Sequence, residues 1–79
     1  MDKFYFELGQ NFSRARRERG LTQDQVGEAI GMTDSTISYI ESARHRPSVK
    51  MFVQLCALYE LDPTSVLAAA VGLETEKRR

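Results

Sequence analysis

The stretch from Thr22 to Ile40 constrains this chain most, because its turn residue and apolar spacing leave one way for two short helices to pack. Thr22 and Gln25, at i and i+3, form a Thr-x-x-Gln capping box that marks a helix start. Val26 and Ile30, at i and i+4, share one face of that helix. Gly31 supplies the left-handed residue that closes it in a tight turn. Thr33 caps a second helix, on which Ile37 and Ile40 form the inward stripe. Gly27 lies beside the first stripe, where a side chain would hold the second helix away. The outward face of the second helix is then Asp34, Ser35, Ser38 and Tyr39, all polar and able to hydrogen-bond.

This layout is a helix-turn-helix, whose second helix enters the DNA major groove. The surrounding chain resembles the phage Cro and lambda-type repressor family, the XRE helix-turn-helix regulators. Phe12-Ser13-Arg14-Ala15-Arg16-Arg17-Glu18-Arg19-Gly20-Leu21-Thr22-Gln23 is similar to the family's first helix and the lead into its second. Glu41-Ser42-Ala43-Arg44-His45-Arg46-Pro47-Ser48 is similar to its loop. Phe52, Leu55, Cys56, Tyr59 and Leu61 take the places of its fourth-helix apolar residues. The resemblance implies an all-α fold, a compact five-helix lambda-repressor-like domain. It is shared with small stand-alone regulators such as restriction-modification controller proteins.

Periodicity and capping predict helices over Phe6 to Arg19, Gln23 to Ile30, Asp34 to Ser42 and Val49 to Glu60. A fifth opens at Asp62-Pro63 and runs through Val71. Leu8, Phe12 and Ala15 point inward from the first helix, and Val49, Phe52, Leu55, Cys56 and Tyr59 from the fourth. Met32 is expected to plug the turn against the core. Ala43 and Glu60 stand where glycines often close the third and fourth helices. The first leaves the following loop either avoiding the left-handed region or carrying strain, and the second predicts a different end to helix four. One domain is expected over residues 1–73, followed by a charged tail at 74–79.

With 42% hydrophobic residues the chain can close one modest core. One cysteine excludes a disulfide framework and a cysteine-based zinc site. No apolar run is long enough to span a membrane, and the N-terminus lacks a signal-peptide pattern, so a cytoplasmic location is expected. His45, the single histidine, has no acidic or cysteine cluster beside it in sequence, and Cys56 reads as a small core hydrophobe. No nucleophile–base arrangement supports chemistry, so an enzyme, a metal site and a cofactor are not expected.

The net charge of zero hides segregation. Arg14, Arg16, Arg17 and Arg19 cluster in the first helix, and Arg44, His45, Arg46 and Lys50 after the third, so one basic face is compatible with a neutral chain. A plain solvated surface is the alternative reading of the second cluster. The family resemblance implies base contacts from Asp34, Ser35 and Tyr39, flanked by Thr36 and Ser38. It also implies a backbone contact from Gln23, and Thr33 with the basic residues Arg14, Arg17, Arg44, His45 and Arg46 are the further backbone-contact candidates. Asp34 has two open readings: accepting from cytosine N4, or favouring the helix dipole. Gln23 is equally an ordinary helix-start residue. The resemblance pairs Arg16 with Glu41 as a structural ion pair, since guanidinium and carboxylate match as a planar fork.

Excess apolar surface suggests a dimer. Phe4, Tyr5 and Phe6 cannot all face inward, and the fifth helix is apolar nearly all round, with Val66, Leu67, Val71 and Leu73 as interface candidates. The resulting expectation is a bacterial, phage or plasmid transcriptional regulator, an autoregulating repressor. It would bind double-stranded DNA at an inverted-repeat operator as a homodimer. RNA polymerase or a cognate toxin is the further partner weighed. The alternatives are a DNA-binding antitoxin of a toxin–antitoxin pair, and a protein-interaction module of the same fold that does not bind DNA.

Overall fold

The computed structural model describes residues 2–72, which form five helices and no strand. They are α1 (Lys3–Glu18), α2 (Gln23–Ile30), α3 (Asp34–Glu41), α4 (Val49–Tyr59) and α5 (Pro63–Val71). Each starts where a local side chain can satisfy an orphan backbone N–H: Asp2, Thr22, Thr33, Ser48 and Asp62 all accept from the first turn. The expected capping box closes in both directions, with Gln25 N–H donating to Thr22 Oγ1 and Thr22 N–H to Gln25 Oε1. Asp2 starts α1 earlier than the expected Phe6, which places Phe4, Tyr5 and Phe6 on a helix. Phe4 and Tyr5 pack against the core, and Phe6 stays exposed.

The helix ends share one device. Gly20, Gly31, Ala43 and Glu60 all adopt positive φ. After each, the next residue's N–H reaches back to a carbonyl of the last turn: Leu21 to Arg16, Met32 to Gly27, Arg44 to Tyr39, Leu61 to Cys56. Glu60 therefore ends α4 as a glycine would, contrary to the expectation of a different ending. Ala43 takes the left-handed region at φ 65°, so the loop carries strain rather than avoiding it.

The core is built from Leu8 and Phe12 of α1, Val26 of α2, Ile37 and Ile40 of α3, and Leu55, Cys56 and Tyr59 of α4, with Val66 and Ala70 of α5 beneath. Burial pushes the Cys56 thiol pKa up, in keeping with a core hydrophobe. The Tyr59 ring packs on Phe12, and burial, aided by the charge of Glu41, pushes its phenol up to about 12. Two glycines bring backbones together. A Cβ on Gly9 would lie 2.5 Å from the Glu41 carbonyl oxygen, and one on Gly27 would lie 2.5 Å from that of Met32. The first lets α1 cross the end of α3, and the second seats the turn on α2.

Two expected core residues and one expected interface residue differ. Val49 is 80% exposed, because at the first position of α4 it lies past the edge of the core and only rims a groove with Phe52, Val53 and Leu67. Met32 is exposed, because the turn is plugged by its backbone on Gly27 and not by its side chain. Val66, expected at a dimer interface, is buried in the chain's own core at 7% exposure. On α5 the neighbouring Leu67 and Val71 take the exposed face instead. Leu73 and the charged tail lie outside the described residues.

The left-handed Ala43 generates a stability prediction. Ala43→Gly relieves the clash at positive φ but loosens the unfolded chain. The net expectation is a gain of about 0.5 kcal/mol, a rise of roughly 2–4 °C in Tm. Thermal unfolding followed by circular dichroism checks it; a lower Tm contradicts the strain.

Candidate nucleic-acid interface

Helix α3 is placed by what lies behind it. Arg16 of α1 donates through Nε to Glu41 Oε2 at 2.8 Å and through Nη2 to Glu41 Oε1 at 3.2 Å, and its Nη1 bonds the Leu21 carbonyl at 2.9 Å. Glu41 is buried and Arg16 nearly so, at 7% and 14% side-chain exposure. The bond to Glu41 raises the Arg16 pKa, against the opposing effect of burial. Gln23, on the first turn of α2, donates Nε2–H to Glu41 Oε1 at 3.0 Å. One carboxylate thus joins α1, α2 and α3. The expected pair Arg16–Glu41 forms, and Gln23 joins it, a contact not legible in the sequence. Gln23 keeps a second amide N–H beyond the one given to Glu41.

With Ile37, Ile40 and Glu41 turned inward, Asp34 and Ser35 are exposed, and Thr36, Ser38 and Tyr39 are half-buried at the edge of the outward face. The side chains of Asp34 and Ser35 make no hydrogen bond among the described residues. Thr33 caps α3 through Thr36 N–H at 3.1 Å, and its hydroxyl also lies 3.0 Å from that of Thr36, so these two threonines are engaged with each other.

The loop after α3 brings its basic residues beside that face. The Tyr39 carbonyl accepts from the backbone N–H of Arg44 at 2.8 Å and of His45 at 3.2 Å. Its ring meets His45 edge-on at 4.8 Å, and the Arg44 guanidinium lies over it at 5.6 Å. Arg46 lies instead over the ring of Tyr5, on α1, at 4.8 Å. Arg44, His45 and Arg46 line a cleft of ≈ 510 Å³ with Thr36, Ile40 and Met51, so the cluster and α3 form one surface. Arg14 and Arg17 are not brought into it by any hydrogen bond or ion pair among the described residues. Both are exposed on α1, and Arg14 donates to Asn11 Oδ1 at 2.8 Å. Tyr39 is more tied than expected, since ring and carbonyl both hold the loop.

A family model described as a helix-turn-helix domain matches residues 7–75. Among curated proteins, "Uncharacterized HTH-type transcriptional regulator y4dJ" of Sinorhizobium fredii is 41% identical over 54 residues, 68% of this chain and 62% of that protein. The "ImmF control region 10 kDa protein" of Bacillus phage phi105 is 34% identical over 56 residues, 71% of this chain and 62% of that protein. The match thus spans less than two thirds of either relative's length. A crystal structure of the clp gene regulator ClgR from C. glutamicum superposes with a TM-score of 0.78 at 22% identity. It covers 91% of this chain and 94% of that one, which shows a shared fold.

The shared carboxylate yields a prediction. Glu41→Ala leaves the Arg16 guanidinium buried without its partner and should cost about 3–5 kcal/mol, a large part of a small domain's stability. Replacing both ends together, Arg16→Met with Glu41→Leu, should cost markedly less. Urea unfolding of the three proteins decides it, and equal losses in the single and double variants would count against a buried pair.

Proposed function

The chain belongs to the helix-turn-helix family, of the Cro and lambda-type regulator kind, and on that premise we propose that it is a sequence-specific DNA-binding transcriptional regulator. In this reading residues 1–73 form one DNA-binding and dimerisation unit, acting in the cytoplasm as an autoregulating repressor on an inverted-repeat operator. The family is one of regulators rather than enzymes, and no catalytic step is assigned.

The observation that carries the reading is the pair of exposed polar side chains Asp34 and Ser35 on α3, without hydrogen-bond partners among the described residues, beside a loop whose three basic side chains pack on aromatic rings or line one cleft with α3. Asp34 and Ser35 stand free for base edges, with Ser38 and Tyr39 beside them and Thr36 behind. Asp accepts from cytosine N4, and serine bonds either kind of partner. Arg44, His45 and Arg46 meet phosphates on the flanking strand, with Thr33 and the remaining Gln23 N–H at the two helix starts. Arg14 and Arg17 provide longer-range attraction from α1. The dimer rests on the exposed apolar residues Leu67 and Val71 on α5, with Val53 and Val49 nearby on α4. Two-fold pairing of identical chains matches a palindromic site.

The experiment compares variants on duplex from the region upstream of the chain's own coding sequence and on a panel of its single-base variants, at several salt concentrations. Wild-type affinity should fall with salt with a log–log slope of magnitude about 4–8. Arg46→Ala should weaken all duplexes alike, since phosphates do not differ between base pairs. Ser35→Ala should change which variant is preferred, costing about 1–3 kcal/mol on the best site and far less elsewhere. Tyr39→Ala should do both, because its ring holds Arg44 and His45. Salt-independent binding excludes DNA as the partner, and uniform losses from Ser35→Ala remove α3 as the reader.

A further inference from the structure

Tyr5, in the first turn of α1, and Arg46, in the loop between α3 and α4, are 41 residues apart in sequence, yet they make a close cation–aromatic contact. The Arg46 guanidinium carbon is 4.8 Å from the Tyr5 ring centroid, closer than Arg44 is to Tyr39. The ring is itself fixed: Tyr5 is half-buried against the core, and Phe4 meets it edge-on at 4.9 Å and 87°. Pro47, next in the chain, restricts the Arg46 backbone to extended conformations and shares with Tyr5 the wall of an apolar groove. Both the backbone and the side chain of Arg46 are therefore constrained before any ligand arrives.

We propose that Tyr5 is a positioning residue for DNA binding, holding the Arg46 guanidinium over its ring so that its N–H groups stay free to meet a phosphate. This rests on the DNA reading above. The chemistry favours it because stacking uses the face of the guanidinium and leaves its edge free to donate. No carboxylate pairs with Arg46 among the described residues, so those donors are not otherwise engaged. A long side chain that is already ordered loses less freedom when it meets a phosphate. The role lies on α1, outside the helix-turn-helix, and gives the first aromatic turn a function beyond filling the core.

The test uses the whole chain and a mixed-sequence duplex at fixed salt, with affinity read by fluorescence anisotropy. Tyr5→Leu should weaken binding roughly two- to fivefold, and Tyr5→Phe, which keeps the ring, should bind like wild type. In an Arg46→Ala background, Tyr5→Leu should have no further effect. An equal loss in both backgrounds, or no loss in either, overturns the proposal and leaves the DNA reading intact. Where Tyr5→Leu does not fold by circular dichroism, NMR of wild type decides. The Arg46 side-chain protons should be shifted upfield by the ring current and stay so in the duplex-bound protein. A random-coil position, or loss of the shift on binding, overturns the positioning role alone. Failure of wild type to bind the duplex overturns the DNA reading and this proposal together, whatever the ring-current shift shows.

Discussion

The Glu41 carboxylate is the point on which the rest of the architecture depends. It receives the Arg16 fork from α1 and the Gln23 amide from α2, while sitting at the last residue of α3. Arg16 also holds the Leu21 carbonyl, so the link between α1 and α2 is tied into the same knot. Such a buried pair adds little net stability relative to a well-packed apolar substitute. Its contribution is directional. Apolar residues would let α3 slide or roll, whereas a planar fork with defined donors sets the angle at which α3 leaves the body.

The exposed surface follows from that angle. Gly9 admits the end of α3 against α1, and Gly27 admits the turn against α2, so the helix is held at both ends by backbone contacts that tolerate no side chain. Ile37 and Ile40 then face the core, and by helical spacing Asp34 and Ser35 face outward. The left-handed Ala43 turns the chain back so that Arg44 and His45 lie against Tyr39. A neutral chain thereby presents a local positive surface beside a polar helix face. Net charge and surface charge are separate quantities, and folding decides the second.

What was legible in the sequence is what depends on near neighbours. Caps need only a side-chain oxygen and an N–H two or three residues on, and all four helix starts read from Thr22, Thr33, Ser48 and Asp62 form as expected. Arg16–Glu41 was accessible through the family resemblance, since nothing local in the sequence joins them. The end of α4 is not legible from residue type, because Glu60 is not a glycine; it follows from the last-turn carbonyls, one of which Leu61 N–H satisfies only through a left-handed residue at 60. Val49 fits the apolar period of α4, but burial at a helix end depends on whether another element reaches that far. On α5, apolar nearly all round, no periodicity distinguishes Val66, which is inside, from Leu67, which is not. The contacts of Gln23 with Glu41 and of Tyr5 with Arg46 join distant segments, and neither leaves a pattern in sequence.

The most direct test of α3 as a base reader within a two-fold dimer is selection of wild-type protein against a random duplex pool, with sequencing of the retained DNA. The account predicts an enriched inverted repeat whose half-sites are about one helical turn apart, roughly 10 base pairs, as two symmetry-related recognition helices require. A retained pool with no enriched sequence, or with a single unrepeated half-site, would contradict it.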